Sequence, residues 1–491
     1  MQDYDIIFLH APKTFKSFKG NNLLDRINKN IEKKEDPMFC FMPMGIFALA
    51  SILYDKGYKV KIINLGVEQH IDKSFDIYKY IKTIRSKIYA IDLQWVVHSS
   101  SSLQLAKICK EAHPDSYVVL GGMTATWFKS SIMKNNNYVD AILLGEADAS
   151  ITCLVEAMLN EKSYDKVDGI IYRLKNTIKE NPIRNIPSSL DNINFTNLTL
   201  LDNYDKYVYN DIMECGKSKQ KIFWLSICRG CIYNCIYCGG SNESYKIFSK
   251  RESIIMRSPI KIAMDIEKLE SYGIEYVNFS HDPRIGGKKY LSQLIDEIRK
   301  RKIDISAYIE TFTLPNKKFI NDISKTFDKT VIALSPESAH ENVRNITGRY
   351  FSNKELFKSI SQLKKKKIET HLYFTMGLPG EKIDNNTFNY YKKFIETIFS
   401  LGGIVIPSSV YTIDPNCIMA VKNKKYGIRL LLKSFTDYQN ICHSRNPIDW
   451  IGHETKLLTK NNILNLTMMV QELALNSLFA RARAQHTVPF E

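Results

Sequence analysis

Four cysteines fall within eleven residues, in the order Cys228-Arg-Gly-Cys231-Ile-Tyr-Asn-Cys235-Ile-Tyr-Cys238. Three thiolates spaced as Cys231-x3-Cys235-x2-Cys238 can bind three irons of a cubane and leave the fourth iron without a protein ligand. Such an open iron can take up a small chelating molecule, much as an open metal position accepts substrate. With Cys228 as a fourth thiolate the run could instead close on zinc, although zinc ribbons usually separate their cysteine pairs more widely. The other cysteines, at 40, 109, 153, 215, 417 and 442, are dispersed among apolar neighbours. That is how small buried hydrophobes are distributed, and it is not a disulfide framework.

A loop that holds irons must spring from something rigid. Candidate strands occur at Ile222–Ile227, Glu275–Ser280, Asp304–Glu310, Thr330–Ser335, Glu369–Met376 and Gly403–Ser409, with helical patterns such as Ser258–Tyr272 and Lys288–Arg301 between them. Six such units suit a (β/α)6 partial barrel, whose chemistry sits at the carboxyl ends of the strands. The cysteine loop follows the first strand directly. Polar groups close four others: Ser280-His281-Asp282, then Glu310, then Pro336-Glu337-Ser338, then Met376-Gly377-Leu378-Pro379-Gly380-Glu381.

The first 150 residues alternate in the same way, with apolar runs at Asp5–His10, Lys59–Asn64, Ile88–Trp95, Tyr117–Leu120 and Ala141–Leu144. This predicts an α/β, doubly wound (Rossmann-like) domain over residues 1–160, its parallel sheet covered on both faces. Gly66, the pair Gly121-Gly122, and Gly145 fall just after strands, where a doubly wound sheet binds its ligand and glycine lets a backbone come close. The repetition points to a nucleotide-like ligand. Residues 161–215 read as a linker with a small hairpin, 216–415 as the barrel, and 416–491 as a mainly helical C-terminal domain, strongest over Asn461–Arg483.

Composition narrows the class. Apolar residues make up 44% and charged residues 24%, ordinary for a globular protein. The formal charge is +16, but lysines and arginines are scattered and base-reading motifs are absent, so no nucleic acid partner is expected. The start of the chain lacks a basic n-region, and the uncharged run Met38–Tyr54 is shorter than the roughly 20 residues a bilayer needs and is broken by Pro43. A buried helix opening near Pro43, no membrane span and a cytoplasmic protein are the expectations.

C-x3-C-x-aromatic-C on the first strand of a six-unit barrel resembles the radical S-adenosylmethionine (SAM) superfamily, over roughly residues 216–415. The resemblance implies that Cys231, Cys235 and Cys238 hold a catalytic [4Fe–4S] cluster whose open iron chelates SAM. Tyr237 matches the aromatic beside the adenine. Gly239, Gly240, Ser280, Glu310, Glu337 and Ser338 stand where the family binds SAM, and His281 is a proton carrier or a plain lining residue. One electron would then cleave SAM to a 5′-deoxyadenosyl radical.

A doubly wound domain ahead of such a barrel is similar to the cobalamin-binding radical SAM group. Met42-Pro43-Met44-Gly45, Val118-Val-Leu-Gly-Gly-Met-Thr-Ala-Thr126 and Leu143-Leu-Gly-Glu146 carry that likeness. It implies cobalamin contacts from Ser99 to Ser102, with Ser99 and Ser100 foremost, and from Gly121, Gly122, Thr124, Gly145 and Glu146. The D-x-H-x-x-G motif that supplies an axial histidine is absent. His10 and His98 lie at strand ends, where a histidine is more often a hydrogen-bonding group, so cobalt without a histidine ligand is expected. The tail, with Asp414-Pro415-Asn416-Cys417 where a little-characterised subgroup usually has D-P-G-S, resembles the end of that subgroup.

The likeness implies methylation of an unactivated carbon through methylcobalamin and the 5′-deoxyadenosyl radical. Three alternatives stand beside it: a non-methylating cyclisation or rearrangement, a methylthiotransferase acting on tRNA, and a cobalamin or iron–sulfur sensor. The substrate class is open among small molecules, lipids and peptides, and a flavodoxin or ferredoxin is the expected electron donor.

Overall fold

Ile6 to Leu9, Ile88 to Ile91 and Val118 to Leu120 are all buried, as strands covered on both faces must be. In the computed structural model, which describes residues 3–13, 41–72, 74–202, 204–208, 221–407 and 409–486, they belong to one seven-stranded sheet. Its strands are β1 (Asp3–His10), β2 (Val60–Asn64), β3 (Arg85–Asp92), β4 (Tyr117–Gly121), β5 (Ala141–Leu143), β6 (Ile170–Leu174) and β7 (Thr177–Asn181), in the order β2-β1-β3-β4-β5-β6-β7. The first five run parallel. The chain passes from β1 to β2 on one side and then crosses to β3 on the other. Strand order therefore reverses between β1 and β3, and the crevice beyond their carboxyl ends is the place such a fold offers a ligand.

Helix α1 (Met44–Tyr54) follows Pro43 and buries Ile46, Phe47, Ala48, Ala50 and Leu53, so the uncharged run is a core helix. Cys40, Cys215 and the first residues of that run, 38–40, lie outside the described residues. Two further helices flank the sheet's ligand edge: α2 (Ser101–Ala112) after β3 and α3 (Met123–Trp127) after β4.

The small hairpin expected within residues 161–215 is formed by β6 and β7, which pair antiparallel with each other, but it does not stand apart from the first sheet, because β6 also pairs antiparallel with β5. The apolar Ile170-Ile171-Tyr172 is buried against β5, while β7 is exposed over Thr177–Glu180 and leaves a polar edge. Contrary to expectation, strand character does not reach Trp95: β3 stops at Asp92, and Leu93 turns away with its N–H on the Gly121 carbonyl at 2.7 Å.

The second sheet holds β8 (Ile222–Leu225), β9 (Tyr276–Phe279), β10 (Ser306–Thr311), β11 (Thr330–Glu337), β12 (Glu369–Phe374) and β13 (Gly403–Val405) in strictly sequential order. β9 to β13 pair in parallel, and helices separate the strands, among them α4 (Pro259–Ser271), α5 (Gly287–Lys300), α6 (Asn353–Lys365) and α7 (Thr387–Ser400). A sequential parallel sheet that stays open between β8 and β13 is a partial barrel. Pro259 at the first helical position and the Ser258 side chain on the Lys261 N–H start α4, and a Ser352–Glu355 capping box starts α6.

The tail carries its main helix at the end, where the pattern over Asn461–Arg483 led us to expect it. Residues 416–459 make short turns, the helix α8 (Phe435–Ile441) and a two-residue ribbon, Arg429–Leu430 with His453–Glu454, before the long helix α9 (Lys460–His486). Contacts divide the chain into two units. The first comprises residues 1–222, 248–250 and 434–443, and the second residues 223–247, 251–433 and 444–491.

Candidate functional site

In the second unit, β8 delivers the chain to Cys228-Arg229, which pairs antiparallel with Ile255-Met256. Cys228 is thereby fixed in a ribbon and buried, whereas Cys231, Cys235 and Cys238 follow in the loop. Backbone N–H groups point at two of the sulfurs: Tyr233 at Cys231 Sγ (3.4 Å) and Gly240 at Cys238 Sγ (3.3 Å). Burial pushes all three loop thiols up. The two N–H···S bonds oppose this at Cys231 and Cys238, and the Arg349 guanidinium opposes it at Cys235.

The loop backbone is held from outside. Met419 N–H donates to the Ile236 carbonyl (2.8 Å), Tyr411 OH to that of Tyr237 (2.5 Å), Ser244 Oγ to that of Cys238 (3.2 Å) and Asn416 Nδ2 to that of Gly239 (2.7 Å). The Gly239 N–H in turn reaches Asp414 Oδ2 (3.3 Å). Ile236 packs with Ile413, Cys417, Ile418 and Met419 in one apolar cluster. A methyl group on Gly239 would lie 2.9 Å from both Asn416 Oδ1 and Asp414 Oδ2, so the clamp requires glycine there. Burial raises the Asp414 carboxyl to about 6, against the pull of the Gly239 N–H.

Beside the loop lies a buried charge group. Tyr237 OH donates to Glu337 Oε1 (2.7 Å), Arg349 Nη2 to Tyr237 OH (2.8 Å) and Thr375 Oγ1 to Glu337 Oε2 (2.6 Å). Arg349 stands 3.5 Å from Glu337, bonds the Phe312 carbonyl and lies over the Phe312 ring. Glu337 occupies a β-bulge of β11 at φ +68°, a strained conformation for a non-glycine residue that these bonds hold in place. Burial raises the Glu310 carboxyl to about 7; Arg349 opposes the shift and Glu337 adds to it.

The structure thus gathers Tyr237, Glu310 and Glu337 around Arg349. Ser280 bonds the Leu225 carbonyl (3.0 Å), and burial lowers its neighbour His281 to about 4 against the effect of Asp282. Ser338 differs from its expected place in a cofactor pocket. It is fully buried, with its hydroxyl on Glu381 Oε1 (3.2 Å) and near Tyr391 OH (3.3 Å), and it helps tie the Met376–Glu381 loop to β11.

The first unit has its own polar centre, at the carboxyl ends of β1 and β3. His10 Nδ1 and Asp92 Oδ1 are 2.8 Å apart, and the His10 and His98 rings meet edge-on at 5.0 Å. Residues Val96–His98 make one 3-10 turn, and Ser99 and Ser100 lead from it into α2. Ser99 Oγ, Ser101 Oγ and Asp92 Oδ2 are buried without a hydrogen-bond partner among the described residues, an arrangement folded proteins seldom leave uncompensated. Gly121 has open space where a side chain would be, and Gly122, at φ +110°, would place a Cβ 2.8 Å from the Leu93 carbonyl. Thr124 Oγ1 bonds the Gln94 carbonyl (3.0 Å). The Gly145 N–H bonds Thr126 Oγ1 (3.0 Å), and the glycine is packed against Ile183 rather than facing open space. Glu146 is buried.

Residues 225–390 match the Radical SAM superfamily, and residues 37–154 match the B12 binding domain. The chain joins a B12-binding domain to a radical SAM domain, the pairing of the cobalamin-binding radical SAM family. An uncharacterized methyltransferase of Pyrococcus horikoshii is 24% identical over 81% of this chain and 84% of its own. The hopanoid C-3 methylase of Methylococcus capsulatus is 22% identical over 48% of this chain, which spans only 42% of that protein. Among solved structures, the radical SAM methyltransferase TsrM of Kitasatospora setae, with cobalamin and a [4Fe–4S] cluster bound, shares the fold at a TM-score of 0.67. The identity is 11%, over 96% of this chain and 89% of that one.

With the family come its cofactors: a [4Fe–4S] cluster, SAM and cobalamin. The residues present fit them. Three thiols on one loop, two receiving N–H···S bonds and one facing a guanidinium, form a donor set for a cluster that keeps sulfur anionic. Among the described residues, no three His, Cys, Asp or Glu converge as they would on a single metal ion. A cubane has no such need, because each thiolate meets a different iron. In the B12-binding domain the orphaned oxygens of Ser99, Ser101 and Asp92, beside the open face of Gly121, fit the amides and phosphate of a cobalamin tail. Arg349 and Thr375 carry no signal in the sequence, and Asp414-Pro415-Asn416-Cys417 stands out there only as a departure from a pattern, whereas in the structure this segment grips Gly239.

Proposed function

We propose that this chain is a cobalamin-dependent radical SAM methyltransferase acting on an unactivated carbon of a small-molecule, lipid or peptide substrate. The observation that carries the reading is the clamped cysteine loop at the end of the first barrel strand, with Arg349 buried beside it. Cys231, Cys235 and Cys238 hold the cluster in this reading, and Tyr237, Gly240, Ser280, Glu310 and Glu337 face SAM. Gly239 supports the loop through its clamp. When bound, the cluster with SAM supplies a hydrogen-abstracting radical, and cobalamin supplies a methyl carrier.

This chain's own residues orient and screen. Arg349 and Tyr237 fix the Glu337 carboxylate, and Glu310, raised by burial, holds a proton close to neutral pH. Cobalamin lies at the switch point of the first sheet, against Ser99, Ser100, Gly121, Gly122 and Thr124, with Glu146 near the end of β5. The names of the two relatives and of the solved neighbour support methyl transfer. No helix among the described residues is long and apolar enough to cross a membrane. A flavodoxin or ferredoxin delivers the electron, in the reducing cytoplasm that free thiols and such a donor require.

One experiment separates methylation from other outcomes without knowing the substrate. The protein, reconstituted anaerobically and given SAM and a reductant, should form S-adenosylhomocysteine only when cobalamin is present. 5′-Deoxyadenosine without any S-adenosylhomocysteine would point to a non-methylating radical reaction, and neither product would point to a sensor.

A further inference from the structure

Some three hundred residues after β4, the chain sends Ser434–His443 back to the first unit. A capping box between Ser434 and Asp437 starts helix α8, which presents two aromatic rings. Phe435 and Tyr438 pack on Phe128, with ring centres 5.3 and 5.7 Å away. Cys442 Sγ reaches the carbonyls of Val97 (3.3 Å) and Val96 (3.5 Å), and the exposed His443 places Nε2 2.9 Å from Ser100 Oγ.

All four anchors lie on the segments that leave β3 and β4, at the sheet edge where a doubly wound domain binds its ligand. The orphaned hydroxyls of Ser99 and Ser101 sit in the same stretch, between the Cys442 and His443 anchors and the start of α2. A single 3-10 turn is a weak scaffold for a binding loop, and Cys442 and His443 pin it from both ends. We infer that Ser434–His443 is part of the cobalamin site, a strap that fixes the Val96–Ser101 loop and retains the bound cofactor. The inference rests on the proposal that cobalamin occupies this edge. The strap's residues are positioning residues, acting through the loop whose serines meet the amides and phosphate of the tail.

The test uses the full chain loaded with hydroxocobalamin, with no need for substrate or catalysis. After rapid removal of free cobalamin, loss of bound absorbance gives the residence time. Tyr438→Ala and His443→Ala should shorten it at least about tenfold, a change expected mainly in the off-rate. His443→Gln can still bond Ser100 Oγ and should restore most of it. A strap that only stabilises the fold would lower the melting temperature of the cobalamin-free variants and leave the residence time as in wild type. That result, or equal residence in all four proteins, overturns the inference. If wild type itself takes up no cobalamin, the binding proposal fails, and the inference fails with it.

Discussion

Replacing Arg349 by Met removes one charge from the buried group beside the cysteine loop. The side chains of Arg349 and Glu337 are only 3% and 6% exposed, so solvent does little to screen what is left behind. The substitution deletes the bonds to Tyr237 OH (2.8 Å) and the Phe312 carbonyl (3.1 Å) and leaves Glu337 with Tyr237 and Thr375 alone. Stranding one member of a buried ion pair costs about 3–5 kcal/mol. Glu337→Gln in the same chain removes the stranded charge, and the two changes should couple by about 1–3 kcal/mol, the double variant being more stable than the sum of the single costs. Urea unfolding of the cofactor-free protein, read by amide exchange in β11 and β12, measures both quantities. A cost below about 1 kcal/mol for Arg349→Met, or simple additivity in the double variant, would refute the view that this pair is a single buried unit.

Other outcomes follow from the same geometry. Burial lifts Glu310 from 4.5 to about 7, so the folded chain retains a proton there that the unfolded chain has released, and the stabilisation present below pH 4.5 is lost as pH rises through about 7. Melting curves of the cofactor-free protein should show that loss in wild type and not in Glu310→Gln; parallel pH profiles would contradict it. Gly122→Ala puts a methyl group 2.8 Å from the Leu93 carbonyl at φ +110°, and should destabilise the first unit by more than about 1 kcal/mol in thermal unfolding. Asn416→Ala removes the donor to the Gly239 carbonyl and should lower the iron bound per chain after reconstitution, whereas Cys228→Ala, altering only the ribbon thiol, should not.

Local signals reached the framework and stopped short of the tertiary contacts. Uninterrupted apolar runs such as Ile6–Leu9 could be read as doubly covered strands because a parallel strand buried on both faces leaves no other pattern. The C-x3-C-x2-C spacing was legible for the same reason: three ligands on one loop are local chemistry. Arg349 was not legible, since nothing in Thr347-Gly348-Arg349 says that a bulge will turn Glu337 toward it. Ser338 looked like a pocket residue by position, yet the strained backbone at Glu337 directs its hydroxyl to Glu381. The strap was invisible in a tail that reads as generic helix, because Phe435, Tyr438 and Cys442 declare their partner only once Phe128 and Val97 are in place. Apolar Ile170-Ile171-Tyr172 did signal a strand; only its addition to the edge of the first sheet escaped notice.

Anaerobic reconstitution of the full chain tests the central claim most directly. Wild type should take up four irons per chain and, given SAM and one-electron reductant, release 5′-deoxyadenosine, and Cys235→Ala should lose both. Absence of a cluster in wild type, or an unchanged cluster and undiminished 5′-deoxyadenosine in Cys235→Ala, would contradict the assignment of Cys231, Cys235 and Cys238.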